Sequence, residues 1–155
     1  MIKIRRAQLD DADDIAVRND RMALETEHIV LNPATSLAGV HAVLTRDVGA
    51  HYYIATMDGQ TAGQLMITTE WSDWRNRVVW WIQSVYTEPH FRKQGVYKAL
   101  YAHVLDQARE HGAGGVRLYV DRRNARAAGV YAGLGMDGEH YQVFEAMFDE
   151  PPEAS

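Results

Sequence analysis

Five successive residues, Val78, Val79, Trp80, Trp81 and Ile82, are apolar, and Glu88-Pro89 closes the segment that carries them. An almost uninterrupted apolar strand suits a central position in a sheet, where both faces are covered. The chain must then supply further strands beside it and helices over it. Ile2 and Ile4 alternate with Lys3 and Arg5 as a short first strand. Asp10, Asp11, Asp13 and Asp14 crowd the start of a helix carrying Ile15, Met22 and Ala23, since the positive helix end favours acidic residues. Beyond Asn32-Pro33, Thr35 or Ser36 is expected to cap a second helix with Leu37, Val40, Leu44 and Val48 on one face. Residues 52–57 and 62–71 flank Asp58-Gly59, a pair that tolerates the positive φ of a tight hairpin turn. After the central strand, residues 94–111 read as a third helix, 116–120 as a short strand, 124–132 as a fourth helix and 141–148 as a last strand. The expectation is an α/β (α+β) fold in the order β-α-α-β-β-β-α-β-α-β, one domain over residues 1–150 and a short tail over 151–155.

Composition removes several kinds of chemistry. The chain has no cysteine, which excludes a thiol nucleophile, a thiolate metal site and a cysteine-linked acyl-enzyme. Its 7 histidines are scattered without ligand spacing, so no metal is expected. With 16 basic against 21 acidic residues the net charge is −5, which argues against a nucleic-acid partner. The densest basic stretch, Arg117, Arg122, Arg123 and Arg126, would serve a small anionic cofactor as readily as a phosphodiester. No window approaches the ~20 apolar residues of a membrane span and the N-terminus is charged, so a cytoplasmic protein without membrane association is expected.

The segment richest in chemistry runs from Val85 to Leu100, where a strand enters a loop with Arg92, Lys93 and Gly95 and then a long helix. That arrangement offers unpaired backbone N–H groups and a positive helix end to an anion, and the glycine permits close backbone approach. The loop lacks the Gly-Lys-Ser/Thr ending of a P-loop and the three-glycine dinucleotide fingerprint. Some thirty residues on stand Asn124, Ala128, Tyr131, Gly135 and Met136.

With this Arg92-x-x-Gly95 loop and the later Asn124, Tyr131 and Gly135-Met136, the chain resembles the GCN5-related N-acetyltransferase superfamily over essentially its whole length. The resemblance implies a central mixed, mostly antiparallel twisted sheet and acetyl transfer from acetyl-CoA to an amine. One departure is Tyr97, where the family loop usually has a second Gly or Ala. Carried over by position, the backbone of Arg92, Lys93, Gln94, Gly95, Val96, Tyr97 and Lys98 would hold the pyrophosphate. Val85, Tyr86 and Thr87 would pair with the pantetheine arm as an added strand, and Asn124 would face it. Tyr131, with an ordinary pKa of ~10, would give its proton to a thiolate whose acid has a pKa near ~8.5.

A lysine-like amine is neutral only about once in 2,500 molecules at pH 7, so a base is needed. The family often places a Glu on the central strand, where this chain has Trp80, Trp81, Gln83 and Ser84. Glu70 is the first candidate, and Gln83 could position a water. All four tryptophans fall within residues 71–81. Trp71, Trp74 and Trp80, with Glu25, Glu27 and Asp73, are expected to wall the acceptor site by charge and cation–π attraction. The acceptor is then a small-molecule primary amine. Alternatives are a protein N-terminal or lysine acetyltransferase and a non-catalytic acyl-CoA-binding module, and the resemblance also admits a homodimer.

Overall fold

A computed structural model describes residues 1–148; residues 149–155, with the expected tail, lie outside the described part. The elements are β1 (Ile2–Arg6), α1 (Ala12–Glu27), α2 (Pro33–Thr45), β2 (Ala50–Met57), β3 (Gln60–Ser72), β4 (Arg77–Thr87), α3 (Val96–Glu110), β5 (Val116–Leu118) and α4 (Ala125–Gly133). They form one sheet in the order β1-β2-β3-β4-β5, antiparallel except for the β4–β5 pair. This is the mixed, mostly antiparallel α/β architecture expected. Asp58 and Gly59 take φ of 52° and 79° in the β2–β3 turn, as a two-residue hairpin demands.

The two sheet faces are covered differently. α1 and α2 lie on one face, where Ile15, Ala16 and Val40 pack on Tyr52 and Ile54. α3 covers the other, with Val96, Leu100 and Val104 on Leu65, Ile67 and Ile82. Strand alternation sorts neighbours between the faces, so Met66 and Gln83, paired across β3 and β4, share the α1/α2 side. Trp80 is the first correction to the expected acceptor wall. Only 5% exposed, it belongs to the core under α3.

Two other expectations change. Asn32 caps α2, its Oδ1 accepting the Thr35 N–H at 3.1 Å, and Pro33 fills the first helical position. Asn and Pro thus start the helix, where no N–H partner is lost. The strand expected over 141–148 does not form. Val143-Phe144 and Met147-Phe148 break the two-residue alternation, and β5, a three-residue strand, offers little edge to pair with.

β4 contains the feature that shapes the site. Gln83 pairs with Met66 but Tyr86 pairs with Gln64, so β4 carries one residue more than β3 over this stretch, and Ser84 sits at φ 52°. Such a bulge interrupts the ladder and bends the strand. Gly63 lets β3 stay close to it, for a Cβ there would lie 2.9 Å from the Tyr86 carbonyl oxygen and 2.9 Å from Val96 Cγ1.

Under α3, His51 packs edge-on against Tyr53 and Trp80, and its Nε2 is buried without a hydrogen-bond partner. Burial, then the charges of Arg6 and His111, lowers its pKa from 6.5 to about 4. The unfolded chain therefore binds this proton first as pH falls, so the stability contributed by neutral His51 is complete above 6.5 and lost progressively down to about 4. Urea unfolding across that window should show a steeper acid loss for the native protein than for His51→Phe. Parallel profiles would dismiss this role.

Candidate functional site

Beyond the bulge, β4 runs out between α1 and α3, and a cavity of about 710 Å³ opens there against α4. Val85, Tyr86 and Thr87 form its strand wall, Arg92, Lys93, Gly95, Val96, Tyr97 and Lys98 its loop and helix end, and Asn124 and Tyr131 its α4 side. The structure thus brings these sequence-derived candidates together. Gln94 is set apart, exposed and donating its Nε2 to the His90 carbonyl at 2.7 Å.

Gly95 is the N-cap of α3 at φ 82° and supplies no side chain to cap it. The N–H groups of Val96, Tyr97 and Lys98 therefore lack intrahelical acceptors and form the positive end of the helix. Arg92, Lys93, Lys98, Arg123 and Arg126 also border the cavity. Free amides at a helix start, ringed by cations, fit a pyrophosphate. Of the basic Arg117–Arg126 stretch, Arg123 and Arg126 line this cavity.

Glu25 is the carboxylate of this cavity, and both its oxygens are engaged. Arg92 Nη2 donates to Oε2 at 2.8 Å and the Tyr86 hydroxyl donates to Oε1 at 3.3 Å. Arg92 Nε also donates to the Thr87 carbonyl at 3.0 Å, with its guanidinium 5.5 Å from the Tyr86 ring centre. Burial, then the negative charges of Glu25 and Glu88, raises the Tyr86 pKa.

Tyr131 presents its ring to Tyr97 edge-on, with centroids 5.4 Å apart. Burial raises the Tyr131 pKa, so its phenol keeps its proton through the neutral range. Tyr97 lies at the second position of α3, and burial together with the neighbouring phenols of Tyr131 and Tyr101 pushes its pKa up as well. Asn124 caps α4, its Oδ1 accepting the Ala127 N–H at 3.1 Å, and so fixes the start of the helix that carries Tyr131.

A second cavity of about 390 Å³ lies between α1, α2 and the sheet. Met22 borders both cavities, and Ser84 borders the second while its neighbour Val85 borders the first. The bulge is therefore where the two meet. Glu27 lines the second cavity. Gln83, on the same sheet face, donates its Nε2 to Thr68 Oγ1 at 2.7 Å.

The remaining candidates stand elsewhere. Glu70 pairs with Val79, six positions before Val85, which is about 20 Å along a strand. Its Oε1 accepts Arg117 Nη1 at 2.9 Å, and it borders neither cavity. Trp71 and Trp74 are 61% and 88% exposed at the far end of the β3–β4 hairpin, with Asp73 in its turn. With Trp80 in the core, the aromatic wall expected from residues 71–81 is not assembled, because β3 and β4 continue well beyond the bulge and carry those residues away. Sequence reasoning missed Ser84, Tyr52, Met66 and Gly39. A bulge is one extra residue in a register, which no local pattern reveals.

The family model described as "Acetyltransferase (GNAT) family" matches residues 14–136. No curated protein matches the chain. A possible acetyltransferase from Clostridium difficile 630 superposes with a TM-score of 0.87 at 34% identity, covering 97% of this chain and 99% of that one. A predicted acetyltransferase with acetyl-CoA from Clostridium acetobutylicum gives 0.73 at 18% identity over 94% and 96%. An aminoglycoside acetyltransferase from an uncultured soil metagenomic sample, in complex with trehalose, gives 0.76 at 15% identity over 96% and 97%. The last two likenesses speak to fold alone.

Proposed function

The chain belongs to the GNAT family of acetyltransferases, and on that premise we propose that it moves the acetyl group of acetyl-CoA directly onto the nitrogen of a small primary amine. The observation that carries this reading is the junction at Met22 and Ser84, where a cavity fitted to an anionic cofactor meets a second, smaller one. Acetyl-CoA supplies the acetyl group as an activated thioester. The amides of Val96, Tyr97 and Lys98 bind its pyrophosphate, and the backbone of Val85 to Thr87 aligns its pantetheine arm. In the transfer a C–N bond forms and the C–S bond breaks, one proton leaves the nitrogen and one is gained by sulfur. Tyr131 holds the second proton at its phenolic oxygen and delivers it to the sulfur. Glu70 is too distant for the first. Glu27 borders the acceptor cavity and takes up that proton directly or through water.

Calorimetry with acetyl-CoA, followed by free-thiol release over a panel of primary amines, tests the proposal. Binding with amine-dependent release is expected. Absence of binding overturns it, and binding without release to any amine leaves a non-catalytic acyl-CoA-binding module.

A further inference from the structure

We infer that the acceptor is a compact amine with one positive charge on an apolar body, seated between α1 and α2; this rests on the transfer reading above. Three observations converge on it. The acceptor cavity, about 390 Å³, falls at the small end of the ~300–1,000 Å³ span of small-molecule sites. Its walls are chiefly apolar, with Met22, Leu31, Met66 and Val40 around the ring of Tyr52.

Its one charged side chain is Glu27, beside the hydroxyls of Thr35, Ser36 and Ser84 and an Asn19–Tyr52 pair that is already engaged. Asn19 donates Nδ2 to the Tyr52 hydroxyl at 3.4 Å and accepts from Gln64 Nε2 at 3.1 Å. Glu27 is the cavity's one carboxylate; it makes no direct salt bridge among the described residues, though its charge reaches Arg123 on the neighbouring cavity. Glu25, on the next cavity, is held by Arg92 and Tyr86. One ammonium can thus be matched. A polycation would bring further charges for which the cavity has no second carboxylate, at a cost of order 1–3 kcal/mol or more for each one buried.

The third observation is Gly39. It lies inside α2, where glycine costs about 1 kcal/mol relative to alanine. Packing does not require it, since a Cβ there meets nothing within 4 Å. Gly39 borders the acceptor cavity, so the missing side chain preserves volume for a ligand body.

The test measures thiol release from acetyl-CoA with 2-phenylethylamine, a polycationic aminoglycoside and an alanyl peptide as acceptors. 2-Phenylethylamine should show kcat/KM at least tenfold above the other two. Gly39→Leu should raise its KM at least tenfold while acetyl-CoA affinity holds and the thermal midpoint stays level or rises, as replacing a helix-interior glycine predicts. Glu27→Gln should weaken all cationic acceptors without changing acetyl-CoA affinity. Preference for the aminoglycoside or the peptide, or an unchanged KM in Gly39→Leu, overturns the acceptor inference and leaves acetyl transfer standing. Release with none of the three but with another amine of the panel overturns this inference alone, and acetyl-CoA binding without release to any amine of the panel overturns the transfer reading and this inference with it.

Discussion

Tyr131→Phe should lower kcat by about 10²- to 10⁴-fold, the usual contribution of a positioned proton donor, and leave acetyl-CoA affinity unchanged. The substitution removes one oxygen and keeps the ring, so the edge-on packing against Tyr97 survives. Burial raises the phenol's pKa, which keeps the proton in place at neutral pH and moves its loss above the ordinary value of 10.0. Activity should accordingly show no alkaline limb from Tyr131 below about pH 10. Steady-state thiol release, with calorimetry for cofactor binding, makes the comparison. A kcat within threefold of the native value would take Tyr131 out of the proton-donor role.

Arg18→Met should destabilise the fold by about 3 kcal/mol, the lower end of what breaking a buried ion pair costs. Arg18 is 7% exposed, and its Nε donates to Glu88 Oε1 at 3.0 Å while Nη1 donates to Gln64 Oε1 at 3.3 Å. Gln64, fully buried, in turn donates Nε2 to the Ile15 carbonyl at 3.3 Å. Removing the guanidinium leaves the Glu88 carboxylate with Arg21, 3.3 Å away at a largely exposed position, and strands the Gln64 oxygen. Because Glu88 directly precedes the loop that starts at Pro89, this network also fixes α1 over the junction of the two cavities. Urea unfolding should report the loss, and Arg18→Met combined with Glu88→Gln should recover part of it by removing the unpaired charge. A loss below 1 kcal/mol for the single variant would mean that α1 is held by its apolar face alone.

That network shows why part of the architecture was readable in the residues and part was not. The spacing of Val96, Leu100, Val104 and Ala108 announces a helix with one buried face, and all four are buried in α3. Asp58-Gly59 announces its hairpin by the same local logic. Arg18 and Gln64 lie on an α1 turn and a β3 position 46 residues apart, and nothing in either neighbourhood says that they meet. The Arg92 to Lys98 loop was legible because its chemistry is local: a glycine, cations and a helix start occur consecutively in the chain. Glu70 was a reasonable carboxylate by composition, yet it stands far up β3 because side-chain identity says nothing about how far a strand runs past a bulge. The tryptophans were misplaced for the same reason, with Trp80 turned under α3 and Trp71 and Trp74 carried to the hairpin end.

By itself the sequence determined the order of the elements from β1 to α4, the absence of a protein thiol and the anion-binding start of α3, since each depends on residues adjacent in the chain or on composition. The tertiary structure alone decided which face of the sheet each strand residue serves, where Ser84 interrupts β4, and that Met22, Tyr52, Met66 and Gly39 converge on one cavity. Those outcomes depend on strand register and on how two helices cross a sheet, and both are set by contacts between residues far apart in the chain.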